Sequence, residues 1–302
     1  MVSYFERILS CLPAALRTTL ARMREGQTEF LSRLSEIRLR AGHYAVLTID
    51  GGNLPLPLLF SREELEKTLS ALCGDSLYAY SESLRQGFLF AFGCRVGVGG
   101  RAVYEGGQIS GIAEISSLCI RLPHTVPGAG RVAEEVFRLL SCRAGLLIYS
   151  PPGGGKTTLL RELARAVSSG AQAKRVALID ARGELYDDDF PPACQVDVLR
   201  AYPLALGIEM ATRTLSPEVI ICDEIGSMGE AEAVLNVKGC GVPIVASAHA
   251  ADIDELLARP PIAALVAGGV FAAYIGIVRC GNEFFYRVQS ACGGEVRSCC
   301  RS

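Results

Sequence analysis

Gly145-Leu146-Leu147-Ile148-Tyr149-Ser150-Pro151-Pro152-Gly153-Gly154-Gly155-Lys156-Thr157-Thr158-Leu159-Leu160 is the stretch that decides how this chain is read. The apolar run Leu146 to Tyr149 predicts a buried strand, and Pro151 to Gly155 predict a turn. Lys156, Thr157 and Thr158 open a segment whose apolar residues Leu159, Leu160, Leu163 and Val167 fit a helix packed on a sheet. Strand, glycine-rich turn, Lys-Thr and helix together make a phosphate-binding loop. Its glycines let backbone N–H groups turn inward, and the helix N-terminus adds positive potential. On this reading Ser150, Pro151, Pro152, Gly153, Gly154, Gly155, Lys156, Thr157 and Thr158 cradle phosphate. Lys156 reaches the β- and γ-phosphates, and the Thr157 hydroxyl ligates Mg²⁺. The usual pattern begins with Gly, and Ser150 stands in that place; Ser is small, so a tolerable distortion is expected. A chance Gly-Lys-Thr would lack the flanking strand and helix.

The bulk numbers set bounds on the rest. A length of 302 residues suggests two domains, and 50% hydrophobic residues are enough for sizeable cores. A formal charge of −2 excludes a broadly cationic nucleic-acid binder, although it leaves room for a local basic patch. The 12 cysteines are scattered without a Cys-x-x-Cys pair, so no zinc site is signalled. Cys119, Cys142 and Cys222 lie in apolar runs as small hydrophobes, and so many thiols imply a reducing compartment. Cys292, Cys299 and Cys300 crowd a polar tail, residues 291–302, that is expected to be disordered. No secretory leader is expected at the N-terminus, and no stretch has the length of a membrane span. The longest apolar run, Ile262 to Ile277, is broken by Gly268 and Gly269. The expectation is a soluble cytoplasmic protein.

Along the chain, residues 1–35 read as helices broken at Pro13. Glu36 to Arg40 and Ala45 to Ile49 read as neighbouring strands before the turn Asp50-Gly51-Gly52-Asn53. Ser61 caps a helix with Glu64 in the capping-box position, and Leu77 to Arg85 is a second helical stretch. Gly87 to Gly93 is a strand, followed by glycine-punctuated hairpins at Cys94–Val103 and Gly106-Gly107. Ser116 to Leu122 closes an α+β domain of residues 1–125. Pro123, Pro127, Gly128 and Gly130 mark a linker, and Glu134 to Cys142 is a helix. Residues 126–290 then alternate strand and helix, as a parallel sheet requires. Its further strands are Arg175–Asp180, Val219–Cys222 and Pro243–Ser247, with a helix around Leu204–Arg213. A terminal hairpin of Tyr274–Val278 and Phe284–Val288 turns at Cys280-Gly281-Asn282.

Ligands of an open α/β sheet sit beyond the carboxyl ends of its strands. Val219–Cys222 runs into Asp223-Glu224, the second half of a phosphate-loop NTPase site. Asp223 supports Mg²⁺, and Glu224 orients or deprotonates the attacking water. Two acids on a plain surface turn would be exposed instead. The next strand ends in Asp180-Ala181-Arg182-Gly183-Glu184. There Asp180 supports the site and Glu184 reaches metal or water, unless the stretch is a solvated acidic loop leading to Asp187, Asp188 and Asp189. Ile244–Ser247 ends in Ala248-His249, which places His249 opposite the γ-phosphate; the bland alternative is a structural histidine. His43 and His124 have no such setting. Arg95, Arg101, Arg121 and Arg213 are candidates for an arginine supplied across a subunit boundary. Arg38 and Arg40 share one strand face, either solvated or part of an interface.

Taken in order, Glu36-Ile37-Arg38-Leu39-Arg40, Cys94-Arg95-Val96-Gly97-Val98, Ile115-Ser116-Ser117-Leu118-Cys119-Ile120-Arg121 and Ser150–Thr158 resemble the stage III sporulation protein AA family over roughly residues 30–290. That resemblance implies a RecA-like P-loop ATPase motor domain beside a smaller α+β N-terminal domain, related to secretion ATPases. It implies ATP and Mg²⁺ as ligands and a homo-oligomer, a hexamer in related enzymes. It also implies membrane-embedded channel proteins as partners and a mother-cell cytoplasmic location at the membrane; the near-neutral charge and the lack of a recognised nucleic-acid module weigh against nucleic acid. The acidic box of secretion ATPases matches Asp180 to Glu184, although it is shorter here; the histidine box matches Ala248-His249-Ala250; and a conserved arginine before the motor domain matches Arg121. The leading expectation is an ATP-hydrolysing ring motor. Its rivals are a nucleotide-gated scaffold with little hydrolysis and a RecA-like NTPase acting on nucleic acid.

Overall fold

A computed structural model describes residues 4–25, 30–122, 130–186, 190–280, 283–291 and 295–298. The expected linker residues Pro123, Pro127 and Gly128 lie outside them, as do His124, the acidic run Asp187–Asp189, the turn Gly281-Asn282, Cys292, Cys299 and Cys300. The chain divides between residues 125 and 126 into two compact units.

In the first unit, α1 (Tyr4–Cys11) and α2 (Ala14–Glu25) flank the break at Pro13, and the short α3 (Phe30–Arg33) leads into β1 (Leu34–Arg40). Then come β2 (Tyr44–Ile49), β3 (Gly52–Leu59), α4 (Arg62–Leu72), a 3₁₀ turn at Leu77–Tyr80, α5 (Ser81–Arg85), β4 (Phe88–Ala91), β5 (Cys94–Glu105) and β6 (Gln108–Arg121). The sheet order is β3-β2-β1-β6-β5-β4, and every described pairing in it is antiparallel. Asp50-Gly51, Phe92-Gly93 and Gly106-Gly107 all have positive φ at both residues, the backbone that a two-residue hairpin turn requires. β3 was not expected from the sequence, and it contains Pro55 and Pro57. The strand sits at the sheet edge, where a missing N–H breaks no interior ladder. Phe5, Ile8, Leu16, Leu20 and Leu65 bury against Ile37, Leu39, Leu47, Val96 and Ile120. At about 1.5–3 kcal/mol per fully buried aliphatic side chain, this one core is enough to hold the helices to the sheet. The Ser61 side chain accepts from the Glu64 N–H, and Glu64 answers the Ser61 N–H, which completes the expected capping box.

The second unit begins with α6 (Arg131–Leu139), β7 (Gly145–Ser150), α7 (Lys156–Val167), β8 (Val176–Asp180), β9 (Val196–Arg200) and α8 (Leu204–Thr214). It continues with β10 (Val219–Glu224), α9 (Met228–Lys238), β11 (Ile244–His249), α10 (Ile253–Ala258) and α11 (Pro260–Ala267). The last elements are β12 (Phe271–Cys280), β13 (Glu283–Ser290) and β14 (Glu295–Ser298). The sheet order is β14-β13-β12-β7-β11-β10-β8-β9. From β12 to β9 the strands are parallel, and β13 and β14 add an antiparallel edge. Alternate residues of the central strands feed two cores. Leu147, Ile179, Ile220 and Ala246 meet α8, α9 and α11; Leu146, Leu178, Ile221 and Val245 meet α6 and α7. Burial on both faces is why these strands read as unbroken apolar runs. Gly268-Gly269 does end the long apolar stretch, with α11 before it and β12 after it.

Two expectations need correction here. The tail from residue 291 was expected to be disordered, yet Glu295–Ser298 form β14, paired with β13 through Arg287↔Ser298 and Val288↔Arg297. Edge pairing uses backbone groups that every residue carries, so a polar composition does not prevent it. β9 was not expected at all. Its alternation of Val196, Asp197 and Val198 is short, and it is an edge strand that escapes the full burial of its neighbours.

Replacing Ser61 with Ala should remove a capping partner and lower stability by about 1 kcal/mol, read as a lower urea midpoint followed by far-ultraviolet circular dichroism. A Cβ at Gly145 would press on the Val270 carbonyl oxygen and Phe271 ring. Gly145→Ala should therefore cost more, about 1–3 kcal/mol by overpacking, in the same measurement.

Candidate functional site

Four parallel strands in the order β7-β11-β10-β8 end at Ser150, His249, Glu224 and Asp180, at one edge of the sheet. Register sets their relation: His249 lies level with Ser150, and Glu224 level with Ser247. β11 thus separates the phosphate-loop strand from the strand that carries the two acids.

The loop has the build its sequence implies. Gly153 and Gly155 have φ of +74° and +92°, and Gly155 caps α7 in the left-handed region that other residues resist. Ser150 is accommodated by its neighbour across the loop, because a Cβ on Gly154 would collide with the Ser150 side chain. The Ser150 hydroxyl donates to the Pro151 carbonyl at 2.9 Å. Pro151 and Pro152 are exposed, and Thr157 and Thr158 lie half-buried in the first turn of α7.

Lys156 is buried, with 7% exposure. Its ammonium donates to the Ser150 carbonyl at 3.0 Å and the Pro151 carbonyl at 3.3 Å, and lies 2.7 Å from His249 Nδ1. An ammonium has only protons to offer, so Nδ1 accepts and the imidazole proton sits on Nε2. Nε2 lies 3.2 Å from Glu224 Oε2. Lys156, His249 and Glu224 form one chain of contacts from the start of α7 across the ends of β11 and β10. Burial draws the lysine down to about 8, opposed by the charges of Glu224 and Asp223.

Asp223 is also buried, and its Oδ2 has no hydrogen-bond partner among the described residues. Burial, reinforced by Glu184, pushes its carboxyl up to about 6, while the Arg182 guanidinium pulls the other way. The buried Ser247 hydroxyl is likewise without a partner among the described residues. A buried carboxylate oxygen without a partner is costly in a dry interior and suits a hard cation. Asp223 is thus a residue whose oxygen chemistry fits a hard cation.

The turn after β8 departs from expectation. Asp180 is fully buried, and both its oxygens accept backbone N–H groups, from Glu184 at 2.8 Å and from Leu185 and Tyr186 at 3.1 Å. It builds the turn and is not free to hold a ligand. Arg161, buried on α7, donates to the Leu185 and Glu184 carbonyls from the other side. Glu184 is thereby held near Asp223, close enough to raise its carboxyl. Arg182, which sequence reading passed over, lies 3.2 Å from Glu224 Oε2. The signal was present, since Arg182 is the one basic residue inside the acidic stretch Asp180–Glu184.

Other expected residues have separate settings. Arg121 belongs to the first unit, at the end of β6, where it pairs with Glu36 at 3.2 Å. Arg101 pairs with Glu114, Arg213 with Glu209, and Arg95 stacks over Phe88. Arg38 pairs with Glu36. Cys222 is buried in β10, where burial pushes its thiol up. Among the described residues no helix is long and apolar enough to cross a membrane.

Comparison with known proteins bears on the family and the fold. The family profile described as "Sporulation stage III, protein AA" matches residues 4–283. Stage III sporulation protein AA of Bacillus subtilis (strain 168) is 32% identical over 283 residues, 90% of each chain. Among solved structures, the pilus retraction motor PilT with bound ADP superposes with a TM-score of 0.62 at 18% identity, covering 89% of this chain and 82% of that one. The Legionella pneumophila ATPase DotB gives 0.57 at 16% identity, covering 90% and 80%. These likenesses make the fold RecA-like, with a P-loop at its centre. The chain belongs to the sporulation stage III protein AA family.

Proposed function

We propose that this protein is a Mg²⁺-dependent ATPase that works as an oligomeric ring, by family likeness a hexamer, on membrane-embedded channel proteins during sporulation. It would sit in the mother-cell cytoplasm, peripheral to the membrane. The observation that carries this reading is the contact chain Lys156–His249–Glu224, which joins the phosphate loop to the water-activating acid. PilT, of like fold, was solved with ADP, which supports a nucleotide as the ligand.

In the mechanism, the backbone N–H groups of the Gly153–Gly155 turn and the α7 terminus receive the phosphates. Lys156 exchanges the Ser150 and Pro151 carbonyls for the β- and γ-phosphate oxygens. Glu224 takes a proton from water as the water oxygen bonds to the γ-phosphorus and the bond to the bridging oxygen of ADP breaks. His249, hydrogen-bonded to Lys156 and 3.2 Å from Glu224, registers where the lysine is and passes that to the base. Mg²⁺ held by Thr157 and Asp223 would neutralise charge on the phosphate oxygens.

The test is steady-state ATP hydrolysis by the full chain across protein concentration. Turnover per subunit should rise with concentration as sites complete between subunits. Lys156→Ala should lose nucleotide binding and turnover together. Glu224→Gln should keep binding and lose turnover by about 10²-fold or more. Tight binding with no turnover at any concentration would instead favour a nucleotide-gated scaffold.

A further inference from the structure

The turn after β8 is built with unusual care for a surface loop. One fully buried carboxylate, Asp180, accepts three of its backbone N–H groups, and one buried guanidinium, Arg161, takes two of its carbonyls. Gly183, at φ +68°, turns the chain between them. The product is a fixed backbone that carries Arg182 and Glu184 to the site. The side chain of Arg182 is 54% exposed, yet its guanidinium meets the Glu224 carboxylate, which is only 13% exposed.

The contact is selective within that carboxylate. Among the described residues, Arg182 Nη2 and His249 Nε2 both lie 3.2 Å from the same oxygen of Glu224, Oε2. A carboxylate contacted through one oxygen keeps the other for a water molecule, and the paired charges restrain its rotation. The anchor is needed because like charges crowd this edge. Asp223 feels the charges of Glu184, Asp180 and Glu224, and Arg182 is a counter-charge that acts on it. Lys156 and Arg259 supply the remaining positive charge nearby, Lys156 committed to the loop carbonyls and Arg259 to the His249 carbonyl.

We propose that Arg182 is a positioning residue for hydrolysis: it holds Oε2 of Glu224 so that Oε1 faces the attacking water. The role rests on the hydrolytic reading given above. It differs from that of an arginine contributed by a neighbouring subunit, since Arg182 acts within its own chain and on the base, not on the phosphate.

The experiment compares the full-length wild type, Arg182→Ala, Arg182→Lys, Glu224→Gln and the double variant Arg182→Ala/Glu224→Gln, with an unfolding midpoint taken for each. Arg182→Ala should lower kcat about tenfold or more while KM for ATP stays within about twofold, because an orienting contact acts on the chemical step. Arg182→Lys, which restores a cation without the planar fork, should recover part of that loss. The double variant should be no slower than Glu224→Gln alone, since with the base gone there is nothing left to orient. Unchanged kcat in Arg182→Ala, or a raised KM at constant kcat, would overturn the proposal while leaving the ATPase reading intact. So would losses in the double variant that simply multiply. A wild type that does not turn over would overturn the ATPase reading itself, and the role of Arg182 with it.

Discussion

The charge on Lys156 is the constraint around which the second unit is arranged. An ammonium taken out of water costs several kcal/mol unless other groups answer it. Here the answers come from two strands. The carbonyls of Ser150 and Pro151 supply them from the loop that follows β7, and His249 supplies a ring nitrogen from β11. This is possible because β11 enters the sheet between β7 and β10. The burial that lowers the lysine also makes phosphate a better partner for it than water, since charge attracts charge more strongly in a dry site.

Four carboxylates lie at the same sheet edge, and their surroundings give them different work. Asp180 is saturated by backbone amides and holds a turn. Asp223 keeps an unpartnered oxygen in a buried place, which favours a cation. Glu224 is anchored by a histidine and an arginine. Glu184 is placed by the turn that Asp180 and Arg161 build, near enough to Asp223 to make ionisation there harder. Residue type alone does not separate these roles; the number of hydrogen bonds each oxygen already has does.

Much of this was legible in the sequence, for physical reasons. The strands β7, β8, β10 and β11 are buried on both faces, so they appear as apolar runs, and each run ends in a polar residue at the ligand edge. The capping box at Ser61 and Glu64 is a local device and was readable locally. What was missed depends on distant partners. β3 holds two prolines and is allowed only by its edge position, and β9 and β14 are edge strands defined by what they pair with. Arg182 was missed because its significance lies in Glu224, a residue that sequence places far away and the sheet brings within 3.2 Å. Asp180 was expected to serve the site directly; only the geometry of three amides shows that its service is indirect.

The serine at the start of the phosphate loop bears on the choice between motor and scaffold. A side chain where the usual loop has none would be expected to push the backbone outward. In this loop the space is supplied from across the turn, since Gly154 lacks the atom that Ser150 would strike. The added hydroxyl turns inward to the Pro151 carbonyl, so it leaves no polar group unanswered. The Ser150 carbonyl still holds the Lys156 ammonium. The departure therefore removes neither the left-handed glycines at 153 and 155 nor the lysine's seat, and those are what phosphate recognition draws upon. A serine accommodated in this way gives no physical ground for slow hydrolysis. On the proposed reading, a difference in turnover is then sought at Glu224 and the groups around it.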